Sequence, residues 1–164
     1  MFKKSSGEGK LGTRFSTSRL ALAAVLVAAG CRTAAPLDRV DLANPAWTVR
    51  EGQAVWHPGG DKPELAGEVL VAWRADGASF VQFTKTPFPV LVGFQTARRW
   101  QVELPGVNRR YAGRGTPPKR LIWLWLPRLL SGEAPPRGWS WEQTGEGWRL
   151  ATGRGESAKG FLNP

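Results

Sequence analysis

The only cysteine of the chain, Cys31, stands directly after a segment that could be cut by a processing enzyme. Five basic residues come first, an uncharged run of Leu, Ala and Val follows from 20 to 29, and Gly30 precedes the cysteine. A basic region, an apolar region and small residues, in that order, are typical of a secretory signal. Cleavage before Cys31 would leave its thiol at the new N-terminus, free for covalent modification.

This arrangement resembles the signal peptide of bacterial lipoproteins, so we predict a signal peptide over 1–30 and lipidation at Cys31. The apolar run spans about 15 Å as a helix, about half of the hydrocarbon core, which is too short for a permanent transmembrane helix. Arg32, not Asp, follows the cysteine. By analogy with enteric bacteria, this favours the outer membrane, facing the periplasm. An ordinary cleaved signal with an incidental cysteine is the alternative.

The remaining side chains offer little for catalysis. Once Cys31 is acylated no thiol is left for a disulfide, a metal site or a nucleophile. His57 is the only histidine, and it precedes a turn at 58–60, where we expect it to be exposed. The acidic residues are scattered, and the segment 113–119 lacks the Gly-Lys-Ser/Thr ending of a phosphate loop. We therefore predict a protein that is not an enzyme and holds no metal or cofactor.

Short strands account for most of the sequence after residue 47. Apolar residues alternate along 68–74 and 99–104, which predicts antiparallel strands with one buried face. The pair Asp76-Gly77 predicts a tight hairpin after the first of these strands. Further strands are expected at 53–56, 79–85, 90–95, 139–142, 148–151 and 157–162.

One segment, 119–131, breaks the β pattern with a run of Leu, Ile and Trp. Two prolines precede it and a glycine follows it, as is typical of a helix. Pro127 lies inside the run, and we expect it to kink the helix or to end it at Leu126. An apolar helix in a β domain must be covered, most simply by the concave face of the sheet.

These elements predict a mostly β (α+β) fold, in which a curved antiparallel sheet forms an unclosed half-barrel around one apolar helix. The domain is expected over 47–164, joined to the membrane by a lipid-anchored tether over 31–46. Its nine tryptophans exceed what a core of this size normally needs. Tryptophan suits surfaces that are partly dry and partly wet.

Two features could contact a membrane. Phe88 stands between two prolines in a loop, where it either folds back on the core or presents an apolar tip. A basic rim could approach anionic lipid head groups, or could simply be solvated. Export argues against nucleic acid as the partner. The predicted rim consists of Arg98, Arg99, Arg109, Arg110, Arg114, Lys119 and Arg120.

Taken in order, the pieces resemble the LolA/LolB group of lipoprotein carriers and receptors. The matching features are strand 69–73, hairpin strand 80–83, loop 86–88, strand 100–104 and the end of the apolar run at 129–132. The resemblance implies an unclosed barrel whose apolar concave side holds acyl chains beneath a helical lid. It also implies that the loop residue Phe88 acts at the membrane.

The function expected from this resemblance is that of an outer-membrane lipoprotein that binds acyl chains or lipidated proteins. The candidates for the acyl-binding hollow are Trp73, Phe83, Trp100, Trp123 and Trp125. The alternative is a non-catalytic envelope scaffold that binds a protein partner through a face rich in Trp and Arg. A carrier needs an enclosed cavity, whereas a scaffold can have a filled core and an exposed patch. If Trp123 and Trp125 fill the barrel completely, the carrier hypothesis fails.

Overall fold

Nine antiparallel strands form a single sheet in the computed structural model, which describes residues 40–163. Cys31, the predicted signal peptide and most of the predicted tether lie outside the described residues. The strands are β1 Thr48–His57, β2 Leu65–Trp73, β3 Ser79–Lys85, β4 Phe88–Gln95, β5 Arg99–Leu104, β6 Arg109–Arg114, β7 Trp139–Thr144, β8 Gly147–Thr152 and β9 Ser157–Leu162. One helix, α1 Ile122–Leu130, separates β6 from β7.

The sheet consists of two meanders joined along one ladder. The strand order is β6-β5-β4-β3-β2-β1-β9-β8-β7, so β1 pairs with both its sequence neighbour and the last strand. The joining ladder runs from the pair Gly52–Leu162 to the pair His57–Ser157. Strands β6 and β7 are the two edges, and the sheet is therefore an unclosed barrel, as predicted.

The antiparallel order sorts the turns between two ends of the sheet. The turns after β1, β3, β5 and β8 lie at one end, which we call the distal end. The turns after β2, β4 and β7 lie at the other, which we call the proximal end. The described residues that precede β1 enter at the proximal end, because β1 runs from it to the distal end.

The concave face of the sheet and α1 enclose the core. Strand register places every second residue on this face, so that Val69 lies beside Phe83 and Val71 beside Val81. The side chains of α1 pack against them, and Ile122, Leu124 and Leu126 are fully buried. The curved antiparallel sheet around one apolar helix confirms the predicted fold.

Two local features differ from the sequence-based expectation. Of the two outcomes expected for Pro127, an end of the helix at Leu126 is wrong, because α1 continues to Leu130 with Pro127 buried inside it, and a kink stays a prediction. Proline lacks a backbone donor and crowds the preceding turn, and the packing of the surrounding apolar residues outweighs these costs. Strand β6 was not predicted, because its residues are polar and mostly exposed and show no alternation.

Candidate functional site

Phe83 and Trp123 form the centre of the concave face. Phe83 comes from β3 and Trp123 from the first turn of α1. Their rings stack with centroids 4.7 Å apart and planes 21° apart, and Trp123 is only 2% exposed. Of the five predicted hollow residues, these two are brought into direct ring contact.

Two tryptophans that the sequence reasoning missed complete this cluster. Trp56 of β1 meets Trp123 edge-on at 5.8 Å and Phe83 at 6.1 Å. Trp148 of β8 meets Trp123 edge-on at 6.5 Å. The available signal was alternation, because Trp56 shares its face with Ala54 and Trp148 shares its face with Leu150. We call Trp56, Phe83, Trp123 and Trp148 the aromatic cluster.

The other three predicted hollow residues make separate contacts outside this cluster. Trp125 of α1 packs against Trp139 at 5.7 Å, with the Arg128 guanidinium 4.9 Å from its ring centroid. Trp100 of β5 lies over Gly113 of β6, where a Cβ would come within 2.5 Å of the indole ring. Trp73, at the end of β2, is half-buried.

A cavity of about 310 Å³ opens beside Trp73 at the proximal end. Residues of the β2–β3 and β4–β5 turns line it, together with Pro127 and Arg128 at the end of α1. The other four predicted hollow residues, Phe83, Trp100, Trp123 and Trp125, are at most 8% exposed and pack inside the core. Side chains of α1 therefore fill the predicted hollow, which by the criterion given above favours a scaffold over a carrier with a preformed cavity, and acyl binding requires α1 to move off the sheet.

Helix α1 is held on the sheet almost wholly by apolar contact. Among the described residues one hydrogen bond joins them, donated by Gln95 Nε2 to the Leu124 carbonyl at 2.9 Å. The same nitrogen donates to Ser79 Oγ at 2.6 Å, and Gln95 is 1% exposed. The indole N–H groups of Trp123, Trp125 and Trp148 are buried with no acceptor among the described residues. Such groups weaken a packed interior, at about 1–3 kcal/mol each.

The predicted basic rim is divided between the two ends of the sheet. Arg109 and Arg110 begin β6 at the distal end, whereas Arg98, Arg99 and Arg114 lie at the proximal end. The five steps of β6 separate the groups by about 17 Å. Lys119 and Arg120 belong to the connection before α1, where Lys119 Nζ donates to the Arg137 carbonyl at 3.3 Å.

Phe88 does not fold back on the core. It begins β4 beside the β3–β4 turn, directly after the cis Thr86–Pro87 peptide bond, and is 74% exposed. His57, expected in an exposed turn, instead ends β1 and is half-buried. Contact between Phe88 and a membrane stays a prediction.

Two carboxyl groups have shifted pKa values. Burial raises the pKa of Glu156, although the Trp56 indole N–H donates to its Oε1 at 3.0 Å and Lys62 lies near. In the β2–β3 turn, the Ala78 backbone N–H and the Arg74 guanidinium lower the pKa of Asp76. The Asp76 carboxyl therefore closes the β2–β3 turn, whereas the Glu156 carboxyl joins the β8–β9 turn to β1.

The described residues contain no group of three or more His, Cys, Asp or Glu side chains that could hold a metal ion. Within the same part of the chain, no helix combines the length and the apolar character needed to span a bilayer. Comparison of the chain with models of known protein families and with curated proteins finds no match.

Proposed function

We propose that this chain is a non-catalytic, lipid-anchored protein of the bacterial outer membrane that binds acyl chains between α1 and the concave face. Cys31 carries the anchor, and the domain faces the periplasm. The ligands in this proposal are lipidated proteins or phospholipids, in agreement with the resemblance to the LolA/LolB group.

One observation carries the proposal: a single short helix covers the aromatic cluster of an open sheet. The cover is apolar, and one hydrogen bond joins it to the sheet among the described residues. An acyl chain can replace apolar side chains, at the cost of the bond between Gln95 Nε2 and the Leu124 carbonyl. Gly132 and Gly138 follow α1 with φ of +97° and +85°, so the return connection contains two residues suited to a change of path.

The size of the cover indicates the kind of ligand. Six apolar side chains of α1 are buried, namely Ile122, Trp123, Leu124, Trp125, Leu126 and Leu129. At about 1.5–3 kcal/mol each, exposing all of them would cost about 9–18 kcal/mol. One acyl chain of about 15 methylenes gains about 12 kcal/mol on burial, which only balances this cost. A ligand with two or three chains exceeds it, which favours diacyl or triacyl ligands over free fatty acids.

Native mass spectrometry of a form beginning at Arg32, purified from membranes that contain lipidated proteins, tests the proposal. The matched variant carries Gly93→Cys and Leu124→Cys, because a Cβ at 93 would lie 3.7 Å from Leu124 Cγ. Oxidation would tie α1 to β4, and reduction would release it. We expect an added mass of a diacyl or triacyl lipid in the reduced form and its loss in the oxidised form.

Equal adducts in both redox states would place the lipid outside the α1 interface. A bare protein, under conditions in which a known carrier retains lipid, would contradict acyl binding altogether. The unsubstituted chain, treated with the same oxidant, controls for effects of oxidation elsewhere.

An envelope scaffold is the second candidate, and a groove on the convex face favours it. This groove, of about 480 Å³, lies over β1, β2 and β9 and is lined mainly by apolar atoms. Val55, Ala66 and the exposed Phe161 contribute to it. No Trp or Arg of the described residues lines this groove, so it is a different surface from the Trp- and Arg-rich face expected from the sequence. Two results together would favour the scaffold. The protein would carry no lipid in the experiment above, and it would capture a defined envelope protein in a way that Phe161→Asp abolishes.

A further inference from the structure

We infer that the β3–β4 and β5–β6 turns form one membrane-docking tip, in which Phe88 and Val107 enter the surface of an anionic bilayer. The inference rests on the proposed function, because it names the lipid surface that the acyl-binding domain would approach. It adds Val107 and Lys85 to Phe88 and Arg109, which the sequence had already indicated as membrane contacts.

Phe88 and Val107 are the two most exposed large apolar side chains of the described residues, at 74% and 63%. Both lie at the distal end, on turns that neighbour each other because β4 pairs with β5. The last pair of that ladder is Val92–Glu103. Beyond this pair the chain leaves the ladder for the turn Pro105–Val107, which packs against β4, so Phe88 and Val107 lie on neighbouring segments at the same end of the sheet.

The β5–β6 turn is a defined structure that holds Val107 outward. Residues Pro105–Val107 form a 3-10 turn, which Asn108 closes in the left-handed region at φ 48°. The Asn108 N–H donates to the Pro105 carbonyl at 3.1 Å. Exposure of an apolar residue on such a turn is unlike the burial of valine elsewhere in this sheet, where Val69, Val71 and Val81 are buried.

Positive charge flanks both apolar side chains. Lys85 pairs with Phe88 across the β3–β4 hairpin, and Arg109 pairs with Leu104 across the β5–β6 hairpin. Both are exposed and form no ion pair with a described residue. The nearest acid of these hairpins, Glu103, is bound by Arg110 at 2.5 Å. An apolar tip between cations matches the acyl boundary and the anionic head groups of a bilayer.

An anchor on Cys31 is compatible with this docking. The residues between Cys31 and Val40 can extend to about 30 Å. Strand β1 spans about the same length at about 3.3 Å per residue. The distal tip can therefore meet the membrane that holds the anchor.

Nitroxide labels in the full chain, purified from bacterial membranes and placed in vesicles, test the tip. Phe88→Cys and Val107→Cys report on it, and Ala97→Cys, in the exposed β4–β5 turn at the proximal end, is the matched control. The unsubstituted chain gives the background from Cys31. Vesicles of phosphatidylcholine with and without phosphatidylglycerol are compared by collision of the label with oxygen and with a water-soluble nickel chelate.

We expect labels at 88 and 107 to favour oxygen in vesicles with phosphatidylglycerol, while the label at 97 favours the chelate. The double variant K85E/R109E should return both tip labels to the chelate. A label at 107 as open to the chelate as that at 97 would overturn the two-turn tip. If the tip labels are buried equally with and without phosphatidylglycerol, and equally in the K85E/R109E variant, the inference that the tip binds an anionic surface is overturned.

The two proposals fail separately. If the labels at 88 and 107 stay accessible to the chelate while the lipid adduct still depends on the redox state, only the docking tip is rejected. Buried labels on a protein that never holds a lipid adduct would remove acyl binding and leave the tip standing.

Discussion

Adding one methyl group at Gly93 should press α1 away from the sheet. Gly93 lies on the concave face of β4, opposite Val81 of β3 and Val102 of β5. A Cβ there would lie 2.7 Å from Leu124 Cδ2 and 2.9 Å from Val81 Cγ1. Carbon atoms pack at about 3.5–4.0 Å, so each neighbour would have to give way by about 1 Å. Both neighbours are fully buried, so neither has solvent to move into.

The expected loss of stability for Gly93→Ala is about 1–3 kcal/mol, the range for an overpacked core. Leu124→Ala alone should destabilise by about 2–5 kcal/mol through the cavity it leaves. In the double variant the new methyl group occupies part of that cavity. We therefore expect the double variant to be more stable than the sum of the two losses predicts, by about 1 kcal/mol or more.

Urea unfolding, followed by tryptophan fluorescence, measures the free energy of unfolding for the four proteins of this cycle. The slope with urea should stay constant, so that the midpoints report stability. Gly106→Ala is the matched control, because a Cβ at Gly106 meets nothing within 4 Å. An unchanged stability for Gly93→Ala, or additivity within about 0.5 kcal/mol, would refute the proposed close contact between Gly93 and Leu124.

Two further predictions concern single polar groups. Burial raises the folded-state pKa of Glu156 above its ordinary value. Its contribution to stability is therefore greatest below that ordinary value and is lost as pH rises through the folded value. Glu156→Gln keeps an acceptor for the Trp56 N–H. As the pH rises from 4 to neutrality, the variant should therefore become more stable relative to the natural chain. Urea titrations that show a constant stability difference, or one of opposite sign, would contradict this. Gln95→Leu should lower the free energy of unfolding by about 1–3 kcal/mol, because Ser79 Oγ and the Leu124 carbonyl lose their donor. Hydrogen exchange in α1 should also become faster. Exchange unchanged from the natural chain would count against the bond between Gln95 and Leu124.

Much of the fold follows from local patterns in the sequence. Alternation along 68–74 and the Asp76-Gly77 pair sufficed for β2 and its hairpin, because one face of that strand is buried and the turn needs a positive φ, +82° at Gly77. The length of the apolar run, the two prolines before it and the glycine after it predicted α1 as well. Strand β6 was not predicted, because this solvent-exposed edge strand has no buried face and therefore no alternating apolar pattern.

The candidate site was less predictable, because its contacts join distant parts of the chain. Trp56 and Trp148 meet Trp123 only after β1, β8 and α1 come together, and spacing along the sequence does not encode that meeting. The prediction of one continuous basic rim was wrong because residues close in sequence lie far apart in the structure. Arg109 and Arg114 are close in sequence, but an extended strand carries them to opposite ends of the sheet.

The position of Trp123 has a consequence for the shape of the whole sheet. The two meanders share only the ladder between β1 and β9, and Trp123 contacts rings on both sides of it, Phe83 on β3 and Trp148 on β8. The helix thus acts as a spacer that fixes how sharply the sheet bends. If α1 is withdrawn, as the acyl-binding proposal requires, the two halves could turn about their shared ladder as about a hinge. The width of the trough would then follow the thickness of the ligand, so that one fold could accommodate ligands with different numbers of acyl chains.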